Sequence, residues 1–158
     1  SDADIELQEN PGEISDQAIS KLKDILTSHI LDDERLIHWL GQFSTEAKNE
    51  QLIQEPEDDI SPEEFEEFRA NETKLVANEG SRFAYKQNND ITLLFADGQT
   101  YSLKSLDSAS QACNLKFVQT LCEMRPQSIN QLIGATTCSQ ITPLILDLVC
   151  KGSLYFET

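Results

Sequence analysis

The clearest run of apolar positions lies in the last twenty residues. Ile141, Leu144, Ile145, Leu148 and Val149 recur at helical spacing and predict one wide apolar stripe. With Ser139 as the cap, Pro143 falls in the first turn, where a missing N–H costs little. Lys151 suits the last turn, and Gly152 suits the left-handed residue that closes a helix. Leu154, Tyr155 and Phe156 then read as a short strand. A helix this apolar has to sit at the centre of a core, and the strand after it needs a partner sheet.

The same periodicity marks a helical pair near the start. Ser15 is the expected N-cap of the first helix, with Ile14 and Ile19 as a hydrophobic staple. Ala18, Ile19, Leu22, Ile25, Leu26, His29 and Ile30 make one stripe that runs to about Leu31. Asp32 or Asp33 caps a second helix whose expected buried face is Leu36, Ile37, Leu40, Phe43 and Ala47, with Trp39 at its edge. So short a connection predicts a helical hairpin. Two helices cannot bury all of this apolar area between themselves. Either the rest of the chain covers it or a second copy does. The reading favoured here is a homodimer with an interface through Ile19, Leu22, Leu26, Leu36, Trp39, Leu40 and Phe43.

Residues 1–13 lack periodicity and read as an extended lead-in, and residues 50–60 read as a linker. Ser61, Pro62 and Glu64 then open a third helix as cap, first-turn proline and capping-box partner, with Ile60 and Phe65 as its staple. From Thr73 the period changes to two. Strands are expected over Lys74–Asn78, Ser81–Gln87, Ile91–Ala96 and Gln99–Leu103, joined as a four-stranded antiparallel meander, with Asp97-Gly98 as the last hairpin turn. A helix capped by Ser108, with Gln111 closing its box, turns Ala112, Leu115, Val118, Leu121 and Cys122 inward. Pro126 ends it, and a short helix over Ser128–Ile133 is closed by Gly134. The fold class is therefore α+β: an N-terminal helical hairpin over residues 1–71, then a winged-helix-like domain with a small antiparallel meander over residues 72–158.

Charge sharpens this division. The net charge is −16, and residues 1–71 carry −15 of it; residues 72–158 carry −1. Glu55 to Glu67 holds eight acids and no base. Such a run is a solvated face that also complements the helix dipole, or a patch that attracts a basic protein. It argues against direct nucleic-acid binding, which needs clustered Lys and Arg. The last helix offers only Gln140, Thr142, Asp147 and Lys151 to a groove, so its helix-turn-helix arrangement reads as scaffold.

No apolar run is long enough to cross a bilayer, and no signal peptide is visible, which suggests a cytoplasmic chain without membrane contact. Cys113, Cys122, Cys138 and Cys150 form no C-x-x-C pair and are expected as reduced core thiols, with a zinc site as the alternative. His29 and His38 are the only histidines and make no metal-ligand pattern. Neither a phosphate loop nor a nucleophile elbow occurs. No catalytic, cofactor-binding or metal-binding residue is assigned.

The order of parts resembles a known family. An acidic helical pair containing Ile37-His38-Trp39-Leu40-Gly41-Gln42-Phe43 precedes a Pro-Glu-Glu helix and a small meander. A winged helix follows, ending Lys151-Gly152-Ser153-Leu154-Tyr155-Phe156-Glu157. This is similar to the C-terminal half of the bacterial ribosomal oxygenases, the JmjC/cupin-type protein hydroxylases. The resemblance implies that an N-terminal cupin, binding Fe(II) and 2-oxoglutarate and hydroxylating an arginine of a ribosomal protein, lies elsewhere in the parent. It implies that this chain is a fragment providing dimerisation and a surface for an approaching basic substrate. The family's H-x-D iron motif is not found here, so no catalytic position carries over. Two other readings stay open: a free-standing protein-interaction adaptor on a winged-helix scaffold, and a transcription regulator.

Overall fold

The structure, a computed structural model, describes residues 12–29, 32–47, 52–134 and 139–158. The lead-in up to Pro11, the expected end of the first helix at Ile30 and Leu31, and the expected thiol Cys138 lie outside them. The chain divides between Trp39 and Leu40 into two compact units.

Helix α1 (Asp16–His29) begins where Ser15 predicts, with the Ala18 N–H donating to Ser15 Oγ at 3.1 Å. Helix α2 (Asp33–Thr45) begins with the Glu34 N–H donating to Asp32 Oδ1 at 3.2 Å. The expected mutual burial of their stripes is not found. Every described side chain of α1 is exposed, and the buried positions of α2 are Gly41 and Thr45, not Leu36, Leu40 and Phe43. The Phe95 ring lies so close over Gly41 that a Cβ there would collide with it. One turn on, Thr45 Oγ1 accepts the Gly98 N–H at 3.1 Å and donates to the Gly41 carbonyl at 2.8 Å. A small residue and a hydroxyl, not the apolar stripe, dock this end of α2.

Helix α3 (Pro62–Ala70) carries the expected reciprocal box. The Ser61 N–H donates to Glu64 Oε2 at 2.9 Å, and the Glu64 N–H to Ser61 Oγ at 3.2 Å. Then follow β1 (Lys74–Ala77), β2 (Phe83–Asn88), β3 (Ile91–Ala96), β4 (Gln99–Lys104), α4 (Ser108–Cys122), β5 (Gln127–Ser128), α5 (Ile129–Ile133), α6 (Ile141–Cys150) and β6 (Leu154–Phe156). The meander has three strands, not four, in the order β2-β3-β4. Strand β1 instead lies between β5 and β6, antiparallel to both, with Leu75 opposite Gln127 on one side and Phe156 on the other. Asn78 turns the chain out of that sheet: its Oδ1 accepts the Gly80 N–H at 3.0 Å and its carbonyl the Ser81 N–H at 3.0 Å. The β3–β4 hairpin turns at Asp97-Gly98 as expected, both with positive φ.

Two caps differ from expectation. Helix α4 is capped by Asp107 with Ser110 as its box partner, rather than by Ser108 with Gln111. Its buried residues are Asn114, Phe117, Val118 and Leu121, because it packs on β2 and β3 as well as on α5. Ala112 is exposed, and Leu115 and Cys122 are half-buried. Helix α6 has no side-chain cap at all. The Gln140 amide is spent on β4, accepting the Lys104 N–H at 3.0 Å and donating to the Lys104 carbonyl at 2.8 Å. Gly134 after α5 and left-handed Gly152 after α6 stand as read, and Ser128, expected inside the short helix, is its N-cap with Gln131 as box partner.

Ile141, Leu144, Ile145, Leu148 and Val149 of α6 are all buried and meet Phe65, Leu75, Leu94, Phe117, Ile129 and Leu154 in one core. Phe68 stacks on Phe156 with centroids 4.2 Å apart. Cys122 and Cys150 are free thiols; Cys113 is in a disulfide, which corrects the reading of it as a reduced thiol. The architecture is an α+β winged helix.

A polar junction ties the meander to α6. The Tyr101 hydroxyl donates to Asp147 Oδ2 at 2.7 Å; Lys151 Nζ lies 3.0 Å from that oxygen and 3.3 Å from the hydroxyl. Burial, then the bond to Asp147, pushes the Tyr101 hydroxyl up to about 12. The Asp147 contact likewise raises Lys151. Burial tends to raise Asp147, but the Tyr101 and Lys151 contacts outweigh it and hold the carboxyl below its usual value.

Leu148→Ala should cost about 2–5 kcal/mol in urea unfolding, because it opens a cavity at a fully buried site. The tyrosine gives a pH signature. A proton held more tightly in the folded state stabilises fully below the unfolded value of 10.0 and is lost as pH rises through about 12. The urea midpoint should therefore fall across that window, and Tyr101→Phe should flatten the part of the fall that depends on the hydroxyl.

Candidate functional site

The seven residues expected at an interface all reach solvent. Ile19, Leu22 and Leu26 on α1, and Leu36, Trp39, Leu40 and Phe43 on α2, are between 39% and 62% exposed. On α2 the last four are spaced three, one and three residues apart, which sets them on one helix face. This face is opposite in character to the Gly41 and Thr45 positions that meet Phe95 and Gly98. Isolated apolar residues at a surface need no explanation, but a helical row of leucines with a tryptophan and a phenylalanine is the composition of an association surface.

The acidic run is solvated: Glu55, Glu57, Asp58, Asp59, Glu63, Glu64, Glu66 and Glu67 are all exposed. His38 is half-buried on α2, and the side chain of His29 lies outside the described ones. Among the described residues no group of three His, Cys, Asp or Glu could hold a metal ion, so these residues do not fit an iron site.

Open grooves cut the C-terminal unit among the described residues. One, of about 520 Å³, is lined by Glu46, Glu55, Asp97, Tyr101, Lys151 and Ser153 among others. Asp97 and Ser153 in it are engaged internally. Asp97 accepts from Ser81 Oγ at 2.8 Å, Ser153 Oγ at 2.6 Å and the Arg82 N–H at 2.8 Å. The Tyr101–Asp147–Lys151 junction closes one side. Every shift there holds a group in its ordinary neutral-pH charge state, and burial raises the Cys122 thiol to about 11. Proton transfer near pH 7 needs the opposite tuning. Another groove, of about 500 Å³, lies beside β6 and is lined by Phe68, Tyr155, Phe156 and several glutamates.

Residues that would read DNA bases are also committed: Gln140 to Lys104, and Asp147 and Lys151 to Tyr101. Sequence reasoning missed the junction. The spacing of Asp147 and Lys151 by four could have suggested a pair on α6, but nothing local points to Tyr101.

Comparison with known proteins agrees with this architecture. Residues 26–155 match the family described as ROXA-like winged helix. No curated protein matches. Among solved structures, YcfD, a ribosomal oxygenase from Escherichia coli, superposes with a TM-score of 0.64 at 21% identity. That match covers 100% of this chain and 40% of the other. A structure of YcfD in complex with cobalt and 2-oxoglutarate gives a TM-score of 0.61 at 20% identity, covering 100% of this chain and 40% of the other. The chain thus spans 40% of the length of these solved structures. The winged-helix architecture and the match over most of its length place the chain in the ROXA-like winged-helix family.

Proposed function

We propose that this chain is the non-catalytic C-terminal region of a JmjC/cupin-type Fe(II)- and 2-oxoglutarate-dependent hydroxylase of a ribosomal protein. It dimerises through α1 and α2 and presents an acidic surface to a basic substrate. Family membership supports the parentage, as does the likeness to an oxygenase of which this chain matches 40%. Iron and 2-oxoglutarate would belong to the remainder of the parent, because the described residues offer no ligand set.

The observation that carries the reading is the exposed apolar row. Leu36, Trp39, Leu40 and Phe43 remain more than a third exposed. Full burial of such a side chain is worth about 1.5–3 kcal/mol, and roughly half of that remains to be gained at each of these half-covered positions, a drive to pair with a like surface. The net charge of −16 would oppose association of two copies at long range, so the apolar contact has to outweigh it at short range.

Light scattering at high micromolar concentration should give twice the chain mass, and Leu40→Asp or Trp39→Ala should return it to one. Both side chains are more than half exposed, so circular dichroism should show the variants folded. A monomeric wild type would contradict the dimer. Native protein detected in cells as a polypeptide far longer than 158 residues would support the parent enzyme; one of this length would favour an adaptor.

A further inference from the structure

The groove beside β6 brings aromatic residues and carboxylates together at one surface. Phe68 and Phe156, stacked on each other with an interplanar angle of 11°, line its core side, and Tyr155, which strand alternation turns to the opposite face of β6, lines it at 47% exposure. Glu55, Glu57 and Glu64 also line it. Glu64 is held by the α3 capping box, whereas Glu55 and Glu57 accept no hydrogen bond among the described residues. The space, about 500 Å³, is in the range of sites that hold a ligand group. It is fixed by the backbone, since Gly152 admits no Cβ against the Gln54 carbonyl and Phe156 is locked in the sheet against β1.

From this we infer that the groove is a docking site for a basic polypeptide segment, one of whose cationic side chains lies against Tyr155 between the glutamates. Aromatic faces attract cations through their quadrupole, and unpaired carboxylates close by add charge. The chain uses the same contact nearby, with Lys151 Nζ 5.4 Å from the centre of the Tyr101 ring. The wider field agrees: eight acids and no base lie between Glu55 and Glu67, so a positive segment is drawn toward this side of the unit. A planar guanidinium stacks on a ring and forks onto carboxylates, so arginine should be held better than lysine. A diffuse acidic field would not make that distinction. The inference deepens the basic-partner part of the proposed function and is independent of dimerisation.

The test is a fluorescence-anisotropy titration of the full chain with labelled decapeptides of alternating Gly with Arg, Lys or Glu. The Arg peptide should bind more tightly than the Lys peptide, and the Glu peptide should not bind. Tyr155→Leu and Glu57→Gln should each weaken Arg-peptide binding by about threefold or more, as one cation–π or charge contact implies. Glu13→Gln and Asp24→Gln, which make the same charge change far from the groove in sequence, should leave it unaltered. Circular dichroism should show the variants folded; Glu57 is exposed and its variant serves even if Tyr155→Leu perturbs β6. Equal weakening by all four variants, equal affinity for Arg and Lys peptides, or no binding would each overturn the site. Any of these would leave the light-scattering result on the dimer as it stands.

Discussion

The side chains of Ile141, Ile145 and Leu148 are fully withdrawn from water, and they lie on a helix with no polar cap of its own. That combination explains much of what surrounds α6. Its N-terminus is held by the Gln140 amide hydrogen-bonding to β4. Its C-terminal turn is held by Tyr101 through Asp147 and Lys151. Its apolar stripe is covered by α3, α4, α5 and the β1-β5-β6 sheet, each contributing at least one fully or nearly buried residue. Hydrophobic burial supplies the drive, and a few side-chain hydrogen bonds decide the orientation.

Much of this was legible in advance. The α6 stripe, the caps of α1, α3 and α5, the Asp97-Gly98 hairpin and the strand at Leu154 are written in local spacing, and local chemistry produces them. What was not legible depended on distant partners. Strand β1 looks like the first arm of a hairpin because it precedes three paired strands, yet Leu75 finds its neighbours at Gln127 and Phe156. The Gln140 side chain looks like part of a helix entry and serves a strand instead. Phe117 was passed over because the helical stripe was counted for one covering surface, whereas α4 lies under two.

The N-terminal helices posed the opposite problem. Their stripes are strong, and strong stripes ordinarily mean burial within the chain. Here Gly41 and Thr45, unremarkable in a hydrophobicity count, make the tight contacts with Phe95 and Gly98, while leucines, Trp39 and Phe43 are exposed. Amphipathic spacing identifies which residues want cover. It does not say which molecule supplies it, and the dimer proposed above follows from that gap. The acidic run is another case: its solvation was readable, but the aromatic groove next to Glu55 and Glu57 arises only when β6 returns beside the linker.

That return has a kinetic side. Strand β1 emerges before both of its neighbours, and one of its edges stays open until a partner about eighty residues downstream has left the ribosome. During that interval Leu75 has nowhere to bury, and the nascent unit holds an unpaired sheet edge available to any passing strand. A chain cut shortly before Leu154 would keep α1 to α6 and still lack the closing edge, so it should be prone to clumping and degradation rather than surviving as a smaller working unit.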